Sequence, residues 1–208
     1  MMRRRSAPAR SNRSTRGRTV GSGTRRRIRS MAELKLARQL DPDLDEIDLA
    51  MMRRAMELAR VAASMAEVSV GAVVYRGTEI IAEAANTRES SRDPVGHAEL
   101  LAVSAAGRRL SEWRLSDCSI AVTLEPCPMC AGALVNARMG RLIYGAADPK
   151  GGAVRSLYAL ADDGRLNHQV KVISGLFAEP CGRMLTEFFR ARRAARRAAR
   201  SERIRGCA

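Results

Sequence analysis

The chain has 208 residues, 46% of them hydrophobic and only 3% aromatic, and it carries a net charge of +15. This length suits one globular domain with additions. No apolar run approaches the roughly 18 residues that a membrane span requires, so an integral membrane protein is not expected. The five cysteines, two of them in a Cys-x-x-Cys pair, argue against a disulfide framework. Reduced, metal-binding thiols of a cytoplasmic protein fit them better.

The positive charge is concentrated at the two ends of the chain. Residues 1–30 contain 11 arginines and no acidic residue, and residues 190–208 contain eight arginines and one glutamate. The ends therefore carry +18 and the chain between them carries −3. Since phosphate contacts supply much of the affinity for nucleic acids, this split favours an anionic polymer as partner. Arginine-rich ends that only keep the protein soluble are the alternative.

Residues 1–45 are predicted to be a disordered basic extension followed by a linker. Residues 1–30 have almost no large apolar side chain and so cannot bury a core. Their acid-free, Arg- and Ser-rich composition is also typical of an organelle transit peptide. A true start at Met31 or Met51 is a third possibility, and the sequence leaves all three open. Residues 31–44 have a mixed pattern and are predicted to form the linker.

The following segments alternate between helical and strand patterns. A helix is predicted over residues 48–68, where apolar residues recur at steps of three and four. Two strands, 70–75 and 79–84, flank a turn at Arg76-Gly77-Thr78. We further predict helices over about 97–109, 128–138 and 179–200, and strands over 119–124, 141–144 and 170–173. This alternation indicates an α/β layer architecture.

The chemically informative stretch lies between residues 93 and 130. His97, Cys127 and Cys130 offer one imidazole and two thiolates, which are good zinc ligands and leave a fourth tetrahedral position open, as in a catalytic site. The cysteines lie at a predicted helix N-terminus, where the helix dipole favours the thiolate. Glu99 follows His97 by two residues, near enough to move the protons of a water whose pKa zinc lowers toward about 7. Cys127 and Cys130 alone would also fit a redox pair, but a thioredoxin-like context is missing.

His-x-Glu followed by Pro-Cys-x-x-Cys is the general signature of the zinc nucleobase deaminases. Four further features point to one family within this class: Asn86 and the blocks 131–134, 145–153 and 188–190. With them the chain resembles the bacterial tRNA-specific adenosine deaminases over roughly residues 48–193. The resemblance implies hydrolytic deamination of the wobble adenosine of a tRNA anticodon stem-loop to inosine by a homodimer.

The resemblance also implies an architecture and a catalytic set. It predicts a deaminase domain over residues 46–193 that forms a three-layer α/β/α fold with a mixed five-stranded sheet of the cytidine deaminase type. An Arg-rich tail, 194–208, would continue the last helix and then become disordered. One Zn²⁺ per chain would be held by His97, Cys127 and Cys130, and Glu99 would be the proton shuttle.

Substrate contacts are implied for seven residues: Asn86, Ala98, Pro126, Asp148, Lys150, Phe189 and Arg190. Asn86 would read a base edge, although an asparagine after a strand also simply caps a loop. Asp148 would accept a sugar hydroxyl and Lys150 would face phosphate. Phe189 would either stack on a nucleotide or belong in part to the core. Arg155 departs from the usual small residue of the family and would either add a phosphate contact or alter the fit of its loop.

Two rival functions remain open. The first is a deaminase of the same fold that acts on a free base or nucleotide, such as guanine or cytosine; the Asp148 loop and the basic end argue against it. The second is a catalytically silent RNA-binding subunit. Intact Glu99 argues against that rival, because a silent subunit has no need of the proton shuttle.

Overall fold

The computed structural model of the chain describes residues 31–205, so the predicted disordered extension 1–30 and the last three residues lie outside the described part. The helices are α1 (Met31–Leu40), α2 (Glu46–Ser64), α3 (Ala98–Leu110), α4 (Pro128–Asn136) and α5 (Ala178–Arg205). The strands are β1 (Gly71–Arg76), β2 (Glu79–Ala85), β3 (Ser119–Leu124), β4 (Arg141–Ala146) and β5 (Lys171–Ser174). Among the described residues, none of the helices has both the length and the hydropathy needed to cross a bilayer.

The five strands form one mixed sheet in the order β2-β1-β3-β4-β5. Strands β2, β1 and β3 pair antiparallel, whereas β3, β4 and β5 pair parallel. The β1–β2 hairpin turns at Gly77, whose φ of +55° is one that glycine adopts without strain. The mixed five-stranded sheet that the family resemblance implies is confirmed.

Helices cover both faces of the sheet. Side chains alternate along β1, so that Ala72 and Val74 lie in one core cluster and Val73 and Tyr75 lie in another. The first cluster includes side chains of α3 and α4, among them Ala98, Ala102, Ala106, Ala131, Leu134 and Val135. The second includes side chains of α1 and α2, among them Leu34, Ala37, Leu49, Met51, Met52 and Ala55. The predicted three-layer α/β/α arrangement is therefore confirmed.

Helix α2 is fastened to the sheet by a buried carboxylate. Asp48 accepts hydrogen bonds from the Tyr75 hydroxyl and, at 2.9 Å, from Arg141 Nη2, although it is only 1% exposed. Asp45 is the N-cap of the helix and forms a capping box with Asp48. The helix thus starts at Glu46, two residues before the predicted start, because the cap precedes the apolar pattern.

Two predictions near the N-terminus were wrong. The expected linker 31–44 contains α1, which buries Leu34 and Ala37 against the sheet layer. Helix α2 stops at Ser64 rather than at residue 68, since Ala66 adopts a left-handed backbone conformation with φ of 60°. The chain then turns into β1, and Val68 and Val70, which lie between α2 and β1, line the cavity described below.

The last helix continues well past the folded body. Cys181 of α5 is 1% exposed and packs in a small cluster with Met56 and Ala146. Residues 193–199 are exposed, and the helix reaches Arg205, five residues beyond the predicted end. At 1.5 Å per residue its 28 residues span about 42 Å, so the arginine-rich part projects from the body.

Candidate metal centre and substrate cavity

Two helix N-termini bring three potential metal ligands together. His97 is the N-cap of α3, with extended φ and ψ of −80° and 142°. It therefore precedes the first turn in which the sequence pattern had placed it. Cys127 is the N-cap of α4, Pro128 is the first helical residue, and Cys130 lies buried in the first turn. Pro128 suits this position because an N–H group in the first turn has no partner within the helix, so proline, which lacks one, loses no hydrogen bond there.

The three ligand atoms have the spacing of a tetrahedral zinc shell. His97 Nδ1 lies 3.7 Å from Cys127 Sγ and 3.5 Å from Cys130 Sγ, and the two sulfurs are 3.6 Å apart. Zn–S bonds of about 2.3 Å and Zn–N bonds of about 2.0–2.1 Å correspond to tetrahedral edges of about 3.5–3.8 Å. The donor set and the geometry both fit a metal ion with one coordination position left open.

The charges of the ligands are strongly linked. A hydrogen bond from Cys130 lowers the pKa of Cys127 to about 4, with further help from His97. Donating that hydrogen bond, together with burial, raises the pKa of Cys130. The pKa of His97 is raised because the ring donates to Cys127. His97 and Cys130 therefore hold protons that a bound cation would displace, as expected at a metal site.

Glu99 lies in the first turn of α3 and is only 4% exposed. Burial raises the pKa of its carboxyl group above the ordinary value. A carboxyl group of raised pKa beside a metal site is suited to taking up and giving back a proton near neutral pH.

A cavity of about 110 Å³ adjoins the candidate ligands. It is lined by Val68, Val70, Asn86, Arg88, His97, Glu99, Leu124, Glu125, Cys127 and Asp148. The wall therefore combines two candidate ligands, the buried carboxyl group and two of the residues predicted to bind substrate. Arg88 is also part of the wall, and no pattern in the sequence had singled it out.

The remaining predicted substrate residues lie in different places. Ala98 is fully buried at the start of α3, and the Pro126 carbonyl accepts a hydrogen bond from Ala153 N at 2.8 Å. Asp148 accepts a hydrogen bond from Lys150 N at 3.0 Å, while the Lys150 side chain is exposed. Asn86 is 5% exposed and is part of the cavity wall.

Phe189 and Arg190 are not part of this wall. Both are exposed on α5, and the Phe189 ring contacts Phe188 edge to face at 5.3 Å. Helix α5 nevertheless lies beside the cavity, because Arg192 forms an ion pair of 3.2 Å with Glu89 in the loop after β2. Phe189 and Arg190 therefore lie outside the cavity wall, on a helix that contacts the loop after β2.

Glu125 organises the loop after β4 and was not given a role from the sequence. Its carboxylate, 2% exposed, accepts hydrogen bonds from the backbone N–H groups of Asp148, Val154, Arg155 and Ser156, and from the Ser156 hydroxyl. Burial raises its pKa, but these hydrogen bonds outweigh burial and lower the pKa to about 2. The sequence did contain a signal that could have pointed to Glu125, because it is an acidic residue directly before Pro126 and Cys127.

The atypical Arg155 braces the same loop. Its guanidinium donates to both carboxylate oxygens of Asp162, at 2.9 and 2.6 Å, and to the Val154 carbonyl at 2.7 Å. The fit of the loop, rather than a free phosphate-binding cation, is therefore the arrangement that the structure shows.

Fold, ligand set and buried carboxyl group together define a nucleobase-deaminase type of protein. A sequence model of the MafB19-like deaminase family matches residues 46–193. A tRNA-specific adenosine deaminase of Bacillus subtilis (strain 168) is 46% identical over 149 residues, which cover 72% of this chain and 92% of the relative. One of Haemophilus influenzae is 43% identical, covering 71% and 86%. The chain belongs to the family of tRNA-specific adenosine deaminases.

Solved structures agree with this assignment. A structure from a study of A-to-I editing by tRNA:A34 deaminases superposes with a TM-score of 0.63 at 38% identity, covering 65% of this chain and 99% of the other. A guanine deaminase from Nitrosomonas europaea superposes with a TM-score of 0.59 at 24% identity, covering 67% and 83%. The second likeness shows the fold alone.

Replacing Cys127 by alanine should abolish metal binding, because two ligands and an open site hold zinc poorly. We expect about one zinc per chain in the wild type and a large loss in the variant, measured by elemental analysis of the purified protein. Cys118→Ala is the matched control, since Cys118 is buried away from the ligand set. Zinc at wild-type occupancy in Cys127→Ala would rule out the site.

Glu125→Gln should loosen the loop after β4, because it turns an amide N–H₂ toward backbone donors. We expect a loss of about 1.5–3 kcal/mol in the free energy of unfolding, the range for hydrogen bonds to a charged group. Urea unfolding measures it, and amide hydrogen exchange should speed up at residues 154–156. Asp162→Asn, which weakens only the half-exposed pair with Arg155, should cost less than about 1 kcal/mol. Unchanged exchange in Glu125→Gln would contradict this role.

Proposed function

We propose that the protein hydrolyses the wobble adenosine of a tRNA anticodon loop to inosine. One observation carries the proposal: buried Glu99 lies in the wall of the same cavity as His97 and Cys127. The relatives named tRNA-specific adenosine deaminase, at 43–46% identity, support tRNA adenosine as the substrate. The structural relative named for editing at the wobble position supports the finer assignment.

The mechanism that we propose assigns each cavity residue a task. A zinc ion held by His97, Cys127 and Cys130 would supply a water of lowered pKa at the fourth position. Glu99 takes one proton from the attacking water and delivers it to the ring nitrogen beside C6. It then takes the proton of the hydroxyl group formed on C6 and delivers it to the amino group, which leaves as ammonia. Burial of Glu99 suits this task because the raised pKa lets the carboxyl group hold each proton between its uptake and its delivery.

The other predicted substrate residues would bind the nucleotide. Asn86 presents its amide to the base inside the cavity, and Asp148 meets the ribose at the edge of the wall. Lys150, Phe189 and Arg190 are exposed and would contact the flanking nucleotides. A base from a single-stranded loop enters such a cavity at lower cost than one from a duplex, because less stacking and pairing is lost.

The two rival functions are weaker. A guanine deaminase shares the fold, but at 24% identity it supports no statement about substrate. A silent RNA-binding subunit would not need a buried carboxyl group beside a complete ligand set. The family resemblance also leads us to propose a homodimer that acts in the cytoplasm, and analytical ultracentrifugation would test the dimer.

The function is tested by measuring inosine in an anticodon stem-loop that carries adenosine at the wobble position. Free adenosine, guanine and cytosine are the comparison substrates. We expect product with the stem-loop and little or none with the free compounds. Turnover of a free base above that of the stem-loop would favour the rival deaminase.

Glu99→Ala should keep the fold and the zinc while losing turnover. A positioned acid–base group contributes about 10²–10⁴-fold to the rate, so kcat on the stem-loop should fall by about 10²-fold or more. Glu83→Ala is the control, because Glu83 forms a partly exposed ion pair with Arg54 on another face. A Glu99→Ala enzyme within threefold of wild type would refute the assigned role.

The projecting part of α5 offers a surface for the RNA backbone. Arg190, Arg193, Arg196 and Arg197 recur at steps of one, three and four residues, so they share one side of the helix. All four are exposed, and alanines occupy most of the intervening positions. An exposed row of guanidinium groups next to a cavity for a tRNA base suits the phosphates of that tRNA.

Truncation after Arg193 should therefore weaken tRNA binding without affecting chemistry. Each lost phosphate contact lowers the slope of log K against log salt by roughly 0.7–0.9. We expect a flatter salt dependence and a higher KM, with the single-turnover rate at saturating RNA unchanged. Deleting residues 1–30 should have a smaller effect, because a segment that the sequence predicts to be disordered would lose entropy on binding. Identical salt slopes for truncated and full-length proteins would leave the ends without a role in RNA binding.

A further inference from the structure

The carboxylate of Glu67 is fully buried, and the mechanism above does not use it. It lies in the turn between α2 and β1, one residue before the cavity wall begins at Val68. Its Oε2 accepts a hydrogen bond from Asn86 Nδ2 at 2.9 Å and from Glu89 N at 3.2 Å, and its Oε1 accepts one from Ser90 N at 2.5 Å. Three donors from the β2–α3 connection therefore converge on one buried group.

Glu67 is held in its charged form. Burial raises its pKa, but the backbone hydrogen bonds from Ser90 and Glu89 outweigh burial and keep the pKa below the ordinary value. An ionised carboxylate can only accept hydrogen bonds. The amide of Asn86 must therefore turn an N–H toward Glu67, because its carbonyl oxygen in that place would face a second acceptor.

This constraint decides what Asn86 can offer a ligand. Its Nδ2 is tied to Glu67, which leaves the carbonyl oxygen and one remaining N–H of the amide. Among residues 31–205, no group donates a hydrogen bond to that oxygen, and the oxygen is not among the buried atoms that lack a partner. Since Asn86 is part of the cavity wall, the oxygen is available to a molecule bound there.

We propose that Glu67 is a positioning residue that fixes the orientation of the Asn86 amide, so that the cavity always presents the same acceptor and donor to the base. The inference rests on the proposed function and adds the origin of its base selectivity. One edge of adenine carries an amine donor beside a ring-nitrogen acceptor, whereas the same edge of guanine carries two acceptors. A fixed carbonyl and N–H can distinguish these patterns, but an amide free to flip cannot.

Glu67→Gln tests the proposal with almost no change in shape. Glutamine must turn its N–H₂ either toward Asn86 and the Glu89 backbone N–H or toward the Ser90 backbone N–H, so the amide of Asn86 loses its single orientation. We expect kcat/KM on the stem-loop to fall about 10- to 100-fold, the range that corresponds to a lost hydrogen bond to a charged group. Glu83→Gln makes the same chemical change at a partly exposed ion pair and should leave kcat/KM unchanged.

A compensating pair separates positioning from simple support of the loop. In Glu67→Gln with Asn86→Asp, the glutamine N–H₂ donates to the new carboxylate, and an acceptor oxygen again faces the cavity. We expect this double variant to have a kcat/KM at least tenfold above that of Asn86→Asp alone, which sets two carboxylates against each other. Wild-type-like activity of Glu67→Gln, or a double variant no better than Asn86→Asp, would overturn the proposal.

Thermal unfolding of two single variants keeps the test valid if the Glu67 variant does not fold or if the substrate is different. With Glu67 intact, Asn86→Asp should have a lower Tm than Asn86→Ala, because two carboxylates about 3 Å apart cannot both be charged without cost. An equal or higher Tm for Asn86→Asp would show that Glu67 does not require a donor. Thermal unfolding needs no substrate, so it tests the pair even if the wild type forms no inosine, a result that would refute the proposed function alone.

Discussion

The hydrogen bonds to the Glu125 carboxylate are the interaction on which the geometry of the cavity depends. Glu125 follows β3 directly and precedes Cys127 by two residues, and it binds four backbone N–H groups of residues 148–156. A carbon atom added at Gly152 would overlap this carboxylate, which shows how closely the loop approaches it. The substrate loop and the metal-binding turn are therefore held by one side chain, and a shift of either would move the other.

The connection between β2 and α3, which also contributes to the cavity wall, is held in the same way. Glu67 accepts hydrogen bonds from backbone N–H groups of the connection between β2 and α3. Glu125 accepts them in the same way from the loop after β4. Loops rarely pack well enough to be rigid through apolar contacts, and hydrogen bonds to a buried charge are about twice as strong as neutral ones. The two carboxylates thus fix two loops that contribute to the cavity wall, which suits a site whose donors must be in place before the substrate arrives.

How well each element was predicted depends on how far apart in the sequence its interacting residues lie. The strand β3 was predicted at its exact bounds, because a buried strand has a continuous apolar pattern. Helix α1 was missed because ten residues are too few to show a clear helical pattern. Its apolar residues Leu34 and Ala37 are buried only through contact with residues that are distant in the sequence. The end of α2 was placed four residues too late, because the sequence did not show that Glu67 has partners 19 to 23 residues away.

The sequence by itself determined the chemistry: an imidazole, two thiolates and a carboxyl group in a pattern typical of one class of enzyme, and an α/β layer order that can hold them. These properties depend on residue types and on short spacings, which are readable along the chain. Only the tertiary structure decided how the cavity is built, because its walls come from strand ends and loops far apart in sequence. The roles of Glu67, Glu125 and Arg155 belong to this second group, since each acts through hydrogen bonds to groups that meet it only after folding.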